Sequence, residues 1–543
     1  MQDKILNFFR NYYYILSGFL VFLSFPTYDI WFLKGFSFFA WISLVPLLVY
    51  IREKSYKEIL WSSFIAGIIW NYLVYGWIGD FGANVKGGDL VIQAFMTPSL
   101  TVFFVTKILM AEYFSRQFEK CRIFIYPSIW IFIDWIESIG FLAFPWTYWG
   151  YSQFMFTPFI QLSSLTGVMG ITFILILANN IFADFCNKYL KQDKKFKELL
   201  CSSAVKKILA LIFFVIIISC LGQYVVSNSG ASEKRDLRIA VIQSCISPWE
   251  NWNQNRFKYL ENLEYYTKLS LEQNPDILIW SESATLEHIS YHYANGNLNE
   301  FERRVLEIAR SAGKPLVTGE IGVAEEIFPH RRYPQNNAVL ISEKGEVVDT
   351  YAKIHLVPFG EWFPYEKWFP FLKELLFQFG ASNFVPGREP LVFQALNRKF
   401  GVLICYEGIF YKLCRKYKNS GSEFLINITN LGWTDAYAGH IQQFAASRFR
   451  AIENGVWFIS ASNSGITGLI DPYGRIVESI PRLKQGYLVS DLNINLNHPT
   501  FYSKYGDIII YFAIAFIIVI ILTAFYKFFI VRIKNNYKSS QKF

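Results

Sequence analysis

Three side chains that could together perform nucleophilic catalysis each follow an apolar segment of the chain. Glu282, Lys353 and Cys405 stand at or just after runs typical of buried strands. In open α/β sheets, active sites usually lie at the carboxyl ends of strands. A glutamate can act as base, a lysine can face developing negative charge, and a cysteine can act as nucleophile. The sequence therefore predicts one site for thiol-based nucleophilic catalysis.

Taken alone, each residue has a less specific explanation. A cysteine at a strand end is often an inert buried residue, and a glutamate after a strand often marks where the chain meets solvent. Lys353 enters a loop with Pro and Gly that also carries Glu361. A strand-to-helix junction at Cys405 would lower the pKa of the thiol and supply N–H groups for an oxyanion. His355 and His440 are interpreted as loop or surface residues, because this chemistry needs no histidine.

An α/β domain with a mixed sheet is predicted around these residues. Runs of strand length alternate with helical segments, and a hairpin indicates that some strands are antiparallel. The predicted strands are 237–244, 276–280, 315–319, 337–342, 347–352, 400–404, 423–428, 456–461 and 466–470, and the predicted helices are 253–273, 298–312, 438–453 and one from 407.

The remaining residues have the composition of a membrane protein. Of the 543 residues, 53% are hydrophobic and 17% are charged, whereas soluble domains have about 25% charged residues. Apolar segments of a length that crosses the hydrocarbon layer lie near 11–28, 33–51, 59–79, 89–111, 123–143, 158–184, 207–228 and 507–530. The predicted domains are a transmembrane bundle of about seven helices at 1–228, an inserted domain at 229–506, a last transmembrane helix at 507–530 and a basic tail at 531–543.

Basic residues favour one orientation in the membrane. They concentrate at Lys4 and Arg10, at 52–57, 116–122 and 187–207, and in the tail. The alternate loops at 80–88 and 144–157 contain only Lys86. Because basic loops stay in the cytoplasm, the inserted domain is predicted on the opposite side. The loop at 187–207 and the tail account for the net charge of +9, so this charge is not interpreted as nucleic-acid binding.

No metal centre or cofactor is predicted. The seven cysteines show no CxxC or Cys/His spacing of the kind that binds metals. Asp134 and Glu137 are unusual for a predicted span, because charges are costly in lipid. Their i, i+3 spacing places both on one helix face, which we expect to face the bundle interior.

Two motifs around the candidate site resemble one family. The stretch Lys353-Ile-His-Leu-Val-Pro-Phe-Gly-Glu-Trp-Phe-Pro364 and the stretch Cys405-Tyr-Glu407 are similar to motifs of apolipoprotein N-acyltransferases, membrane members of the nitrilase superfamily. The segment Phe144-Pro-Trp-Thr-Tyr-Trp-Gly-Tyr-Ser-Gln153 and the shorter Leu23-Ser-Phe-Pro26 also resemble that family. The resemblance covers nearly the whole chain and implies a polytopic α-helical membrane domain with an inserted nitrilase-like αββα domain.

The resemblance also implies a role for each matching residue. Glu282 would be the general base, Lys353 the oxyanion partner, Cys405 the acylated thiol, Glu361 a second acid supporting Lys353, Tyr406 and Glu407 the shapers of the pocket, and Trp433 part of a loop over the lipid entrance. Two departures occur: Ser281 stands where the family commonly has Pro, and Asn430-Leu-Gly-Trp433-Thr434 replaces Asn-Asp-Ala-Trp-Phe. The second departure leaves the role of Asn430 open.

Aromatic residues fill the predicted outward loop before the sixth span. Trp146, Tyr148, Trp149 and Tyr151 are interpreted as interfacial anchors that also form a slot for an acyl chain. An ordinary aromatic belt at the membrane surface explains them equally well.

The implied activity is transfer of a fatty acyl chain from a phospholipid, through a thioester on Cys405, to the α-amine of the N-terminal diacylglyceryl-cysteine of bacterial lipoproteins. The expected partners are a phospholipid acyl donor, a diacylated lipoprotein acceptor and membrane lipids, without nucleic acid, and the expected unit is a monomer. The expected location is the bacterial cytoplasmic (inner) membrane, with the catalytic domain on the periplasmic side.

Two other functions remain open from the residues. In a membrane-bound nitrilase-type amidase, water would accept the acyl group from Cys405, and a short-lived thioester would distinguish it. In a transporter with a large extracytoplasmic domain, Cys405→Ala would leave function intact. The transporter gives no reason for the order Glu282, Lys353 and Cys405.

Overall fold

The computed structural model describes residues 11–28, 36–82, 85–191, 202–230, 235–324, 333–363, 368–378 and 381–540. Several predicted features lie outside these ranges, namely Lys4, Arg10, the loop residues 192–201 and Pro364.

The chain begins with a bundle of helices. They are α1 (Ile15–Ser24), α2 (Val45–Tyr50), α3 (Tyr56–Tyr75), α4 (Gly88–Gln117), α5 (Arg122–Glu137), α6 (Thr157–Ile160), α7 (Ser163–Lys191) and α8 (Ser203–Asn228). Short 3₁₀ helices lie between them at Phe36–Trp41, Ile51–Glu53, Gly76–Gly82, Glu119–Cys121 and Trp149–Gln153.

Two six-stranded sheets follow, with strand orders β12-β1-β2-β3-β4-β5 and β11-β10-β9-β8-β7-β6. The strands are β1 (Leu237–Gln243), β2 (Ile277–Ile279), β3 (Leu316–Ala324), β4 (Tyr333–Ile341), β5 (Val347–Ala352), β6 (Val392–Ala395), β7 (Arg398–Ile404), β8 (Phe424–Thr429), β9 (Trp457–Ser462), β10 (Thr467–Ile470), β11 (Ile476–Ile480) and β12 (Gly486–Leu492). Parallel pairs in each sheet are flanked by antiparallel ones. The predicted α/β domain with mixed sheets is confirmed.

Seven α-helices of the described chain are interspersed with the strands or follow them, and most of these helices pack against a sheet. They are α9 (Trp252–Leu271), α10 (Ile289–Ala294), α11 (Glu300–Ala312), α12 (Pro370–Gln378), α13 (Tyr411–Asn419), α14 (Tyr437–Asn454) and α15 (Phe501–Tyr505), with 3₁₀ helices at Cys405–Ile409 and Ile494–Leu496. The chain then returns to the bundle as α16 (Ile508–Ser540).

The alternating side chains of β1 show that the first sheet is packed on both of its faces. Ile239 and Val241 belong to the apolar cluster shared with the second sheet, whereas Ala240 and Ile242 belong to the cluster formed with α9 and α11. Successive side chains of a strand point to opposite faces, so β1 is buried on both sides. Burying one such aliphatic side chain stabilises the fold by about 1.5–3 kcal/mol.

Six segments of the described chain are long and apolar enough to cross a membrane. They are Phe36–Glu53, Tyr56–Gly82, Gly88–Gln117, Ser163–Lys188, Ser203–Asn228 and Ile508–Ile530, and each coincides with a predicted span. The two other predicted spans coincide with α1, of 10 residues, and α5, of 16 residues. Whether those two cross the membrane stays a prediction.

The helix α14 docks the sheets onto the bundle. Its Gln442 accepts hydrogen bonds from the indole N–H groups of Trp77 at 3.1 Å and Trp146 at 3.0 Å. Its Glu453 accepts the backbone N–H of Val168 at 2.9 Å, beside Gly167, whose φ of 64° interrupts α7. The inner faces of the two sheets and the bundle also share one cluster of buried apolar residues.

Candidate active site

Cys405 sits at a sharp corner after β7. Its φ is 52°, a left-handed conformation that a residue with a side chain rarely adopts without support. The support comes from two amide side chains, since the carbonyl oxygen of Cys405 accepts hydrogen bonds from Gln443 at 2.8 Å and Asn427 at 3.3 Å. The predicted α-helix from 407 is wrong at its start: the chain first forms a 3₁₀ turn at Cys405–Ile409, and the helix begins at Tyr411.

Glu282 lies just beyond β2 and is 5% exposed. One carboxylate oxygen accepts the backbone N–H of Asn430 at 2.7 Å, and the other accepts the side-chain amide of Asn336 at 2.8 Å. The second oxygen is also 3.5 Å from the Nζ of Lys353. These contacts fix the orientation of the carboxylate.

Lys353 leaves β5 and is completely enclosed, with a side-chain exposure of 0%. Its Nζ donates to Glu361 at 2.7 Å. The other oxygen of Glu361 accepts the backbone N–H of Val357 at 2.8 Å, which closes the loop around the lysine. A buried ammonium needs such pairing, because an unpaired charge is costly away from water.

Glu407 joins the cysteine loop to the lysine loop. One of its oxygens accepts the hydroxyl of Tyr351 at 2.7 Å and the N–H groups of Ile354 and His355 at 2.7 and 3.1 Å. The other accepts the N–H of Ile404 at 2.9 Å. Glu407 therefore fixes the position of Lys353 relative to Cys405.

Burial sets the protonation states in the site. It raises the pKa of Cys405, so the predicted lowering of this pKa at the strand-to-helix junction is wrong. Glu282 and Glu361 raise the pKa further, whereas Lys353 and a hydrogen bond from the N–H of Asn430 lower it. Burial also raises the pKa of Glu282, with Lys353 acting against this rise. For Lys353, burial lowers the pKa, but Glu361, Glu282 and Cys405 outweigh it, so the ammonium is retained.

These groups can support nucleophilic catalysis by the thiol. Because the pKa of Cys405 is raised, the resting thiol is neutral and needs a base at the moment of attack. Glu282 has a raised pKa and is fixed beside Lys353, so it is suited to take and return that proton. His355 lies against Phe410, with ring centroids 4.0 Å apart, and burial lowers its pKa to about 4.

Tyr406 and Trp433 connect the site to the bundle. The hydroxyl of Tyr406 donates to the carbonyl of Ala143 at 2.5 Å, and its ring is stacked with that of Trp146, with centroids 6.0 Å apart. The ring of Trp433 is stacked on Phe81 with centroids 3.7 Å apart. Glu282, Lys353 and Glu361 thus share one network of polar contacts, and Glu407 joins the loop of Lys353 to that of Cys405. Tyr406 follows Cys405 directly, and Trp433 lies on the loop that follows Asn430.

The interpretation of Trp149 and its neighbours as surface anchors is wrong. Trp149 is 1% exposed, and its indole N–H donates to the carbonyl of Ala40 at 3.2 Å. Its ring packs edge-on against Trp70 and Trp130, with centroids 5.2 and 5.0 Å away. The loop folds back between the bundle and the catalytic domain, so its aromatic residues are core rather than belt residues.

Sequence reasoning missed several supporting amides. Asn336 donates to both Glu282 and Glu361, at 2.8 and 3.1 Å, and Gln443 and Asn427 hold Cys405. In the sequence, the only indication of these residues is that amide side chains occur within or beside otherwise apolar strands and in a helix that is buried. Among the described residues, no group of three or more His, Cys, Asp or Glu side chains could hold a metal ion.

The fold and site define a carbon–nitrogen hydrolase domain joined to a membrane bundle. The family model of Carbon-nitrogen hydrolase matches residues 238–500, and that of Apolipoprotein N-acyltransferase N-terminal domain matches residues 17–181. Apolipoprotein N-acyltransferase 1 of Treponema denticola is 30% identical over 96% of this chain and 97% of that protein. The apolipoprotein N-acyltransferase of Geobacter metallireducens is 28% identical over 94% of each chain. The chain therefore belongs to the apolipoprotein N-acyltransferase family.

Solved structures similar to this chain include an amidase from Nesterenkonia sp.. It is 22% identical, with a TM-score of 0.36, and the match covers 50% of this chain and 95% of the amidase.

Proposed function

We propose that this bacterial inner-membrane enzyme transfers a fatty acyl chain from a phospholipid to the α-amine of the N-terminal diacylglyceryl-cysteine of lipoproteins, through a thioester on Cys405. The family membership supports the overall reaction. The observation that carries the assignment of residues is the convergence of Glu282, Lys353 and the Cys405 loop in one enclosed network beside the bundle.

In the first half-reaction, Glu282 takes the proton of the Cys405 thiol as the sulfur attacks the ester carbonyl of the phospholipid. The ammonium of Lys353 and a backbone N–H near Tyr406 stabilise the tetrahedral oxyanion. The ester C–O bond then breaks, and Glu282 returns the proton to the leaving oxygen. A lysophospholipid departs and the acyl chain remains on sulfur.

In the second half-reaction, the α-amine of the acceptor attacks the thioester carbonyl. Glu282 removes a proton from the amine nitrogen, the C–S bond breaks, and the proton is delivered to the sulfur. The products are an amide and the free thiol, so the kinetics are ping-pong. The buried site excludes water, which would otherwise hydrolyse the thioester.

The proposed topology places the catalytic domain on the periplasmic side. The basic loops of the bundle support it, because such loops are retained in the cytoplasm. The proposed domains that correspond to this topology are residues 1–228, 229–506, 507–530 and 531–543. The proposed unit is a monomer, since one chain supplies Glu282, Lys353 and Cys405.

An acyl-transfer assay tests the proposed function. Purified enzyme in detergent is incubated with phospholipid and a diacylated lipopeptide, and the lipopeptide is weighed by mass spectrometry. The expected result is a gain of one acyl chain on the N-terminal amine. Release of free fatty acid with no change in the lipopeptide would instead indicate an amidase-type hydrolase.

A further inference from the structure

The backbone N–H of Asn430 contacts both the base and the nucleophile. Asn430 directly follows β8, and its N–H donates to Glu282 at 2.7 Å. A hydrogen bond from the same N–H lowers the pKa of Cys405 and that of Glu282. Hydrogen bonds to ionised acceptors are stronger than those to neutral ones. A donor in this position therefore interacts most strongly with whichever of the two groups carries the negative charge.

The peptide unit that carries this N–H is held from both sides. In a planar trans peptide, the C=O and N–H groups point in opposite directions. The carbonyl of Thr429 accepts the backbone N–H of Asn463 at 2.8 Å. On the opposite side, the N–H of Asn430 reaches the carboxylate of Glu282. The plane of this peptide is therefore fixed between Asn463 and the base.

The side chain of Asn463 holds the same loop a second time. Its Nδ2 donates to Oδ1 of Asn430 at 2.9 Å, and that oxygen also accepts the N–H of Gly432 at 3.0 Å. An asparagine that bonds to its own backbone two residues on forms a local turn. The two asparagine side chains thus set the path of the chain that leads away from the shared N–H.

Asn463 is in turn anchored to the loop after β1. Its Oδ1 accepts the hydroxyl of Ser244 at 2.9 Å and the N–H of Ile246 at 2.8 Å, and its Nδ2 also donates to the carbonyl of Ile246 at 2.6 Å. Asn463 is 2% exposed. A side-chain amide has two N–H donors and an oxygen with two lone pairs, so the hydrogen-bonding capacity of Asn463 is filled. The first sheet therefore holds the end of β8 in the second sheet.

We propose that the N–H of Asn430 is a catalytic donor that follows the negative charge from Glu282 to Cys405. Asn463 is the positioning residue that holds this N–H between them. The inference rests on the proposed function, because this proton transfer is the first step of acyl transfer. In that step the S–H bond breaks and an O–H bond forms on Glu282, while the electron pair stays on sulfur. The N–H of Asn430 keeps its proton and changes only its acceptor, from the carboxylate oxygen to the thiolate.

Replacement of Asn463 by Ala tests this role. Single-turnover acylation of Cys405 by phospholipid and alkylation of Cys405 by iodoacetamide are each followed as a function of pH. Acylation is expected to slow about tenfold, as for loss of one hydrogen bond to a charged group, with little change in the half-saturating phospholipid concentration. Both pH midpoints are expected to rise, because the N–H that is displaced lowers the pKa of Glu282 and that of Cys405.

The direction of these shifts distinguishes positioning of the N–H from a loosened fold. Lys353 and Glu361 are the other charged groups that act on the pair, and the substitution changes neither. Burial raises the pKa of Glu282 and that of Cys405, so water admitted by a loosened site would lower both values. Midpoints that fall or stay in place in Asn463→Ala would overturn the proposal.

A second variant keeps the N–H but frees its loop. Asn430→Ala loses the side-chain bonds to Asn463 and Gly432, and it is expected to raise both midpoints in the same way. It replaces Asn463→Ala should that variant fail to fold, and midpoints that do not rise in it would likewise contradict the proposal.

Asn179→Ala is the matched control for the loss of a buried asparagine. Asn179 lies on α7 in the bundle and is 0% exposed. It accepts the N–H of Leu44 at 2.7 Å and donates to the carbonyls of Ala40 and Leu175, both at 2.8 Å. Its replacement should lower the unfolding temperature and leave both midpoints in place. A rise equal to that of Asn463→Ala would assign the shifts to a general loss of packing and overturn the inference.

The two pH profiles separate this inference from the proposed function. A wild-type enzyme that is alkylated on Cys405 but never acylated there contradicts the acyl transfer, whereas a raised alkylation midpoint in Asn463→Ala would still support the shared donor. A wild-type enzyme that is acylated, together with variants whose midpoints do not rise, contradicts the donor role alone.

Discussion

The ammonium of Lys353 lies 2.7 Å from Glu361 and 3.5 Å from Glu282. Glu361 is therefore its main ionic partner and also accepts the N–H of Val357. Burial raises the pKa of Glu282, Lys353 opposes this rise, and the charge of Glu361 adds to it, so Glu282 is suited to exchange a proton with the thiol. We therefore expect the two carboxylates to have different roles, although one lysine contacts both.

Replacing Glu361 by Gln should lower kcat with little change in KM for phospholipid. The variant loses a charge-assisted hydrogen bond worth about 1.5–3 kcal/mol, which corresponds to a rate loss of about ten- to a hundredfold. The measurement is the single-turnover rate of Cys405 acylation. Glu346→Gln, on the exposed turn before β5, is the control. A Glu361→Gln enzyme as fast as this control would contradict the assigned role.

The acylation rate should fall on the acid side as Glu282 becomes protonated. Burial raises the pKa of Glu282, so the base is active above that raised pKa and is lost as pH falls through it. The acid limb should therefore lie above about 4.3, the pKa of an ordinary glutamate. The contribution of Glu282 to folding stability changes with pH in the opposite direction. A carboxyl group whose pKa is raised in the folded state stabilises the fold at low pH, and this stabilisation is lost as pH rises through the raised pKa. A limb at the ordinary value would contradict the raised pKa of Glu282.

The acid limb should not depend on His355. Burial lowers the pKa of His355 to about 4, so its ring is neutral over the range in which Glu282 titrates. His355→Asn is expected to leave the midpoint of the limb in place, even if the loss of packing against Phe410 lowers the rate. A shift of the midpoint in this variant would show that the histidine titrates in the reaction.

Glu407→Gln should lower stability as well as activity. Its carboxylate accepts four hydrogen bonds. The side-chain NH₂ group of a glutamine would instead present N–H donors where backbone N–H groups need an acceptor. Loss of even one charged hydrogen bond costs about 1.5–3 kcal/mol. Thermal unfolding in detergent measures the effect, with Glu343→Gln on the exposed hairpin turn as control. Equal unfolding temperatures for the two variants would contradict this prediction.

Gly319 leaves space for the backbone of Glu282. A Cβ at this position would lie 2.6 Å from the backbone nitrogen of Ser283 and 2.9 Å from the Cα of Glu282. Gly319→Ala should therefore displace the base and reduce acylation, at a cost in stability of about 1–3 kcal/mol. Gly486→Ala in the same sheet meets no atom within 4 Å and should be close to wild type. Equal activity of the two variants would exclude this packing constraint.

Local patterns predicted much of this molecule. Apolar runs and their ends were enough to place Glu282, Lys353 and Cys405 at strand ends, and the motif after Lys353 identified Glu361. The strand β12 was missed because its side chains are only partly buried, so hydrophobic alternation is weak. The left-handed φ of Cys405 was also missed, since it depends on Gln443 and Asn427, which are distant in sequence.

Contacts between separate helices could not be predicted from the sequence. The carboxylates Asp134 and Glu137 were expected on one helix face toward the bundle interior, and the structure places them there. Their partner Lys107 lies on another helix, and its pairing depends on how α4 and α5 pack. The burial of Trp149 was not predicted for a similar reason. A loop rich in aromatic residues has the same composition whether it lies on the membrane surface or folds inward.

The proposed thioester on Cys405 can be detected directly as an acyl group on the protein. Purified enzyme is incubated with a phospholipid labelled in its acyl chain, and the label on protein is located by mass spectrometry before and after hydroxylamine treatment. We expect hydroxylamine-sensitive label on Cys405 that persists without acceptor, passes to the amine of a diacylated lipopeptide, and is absent from Cys405→Ala. Label on another residue, or label that survives Cys405→Ala, would contradict it.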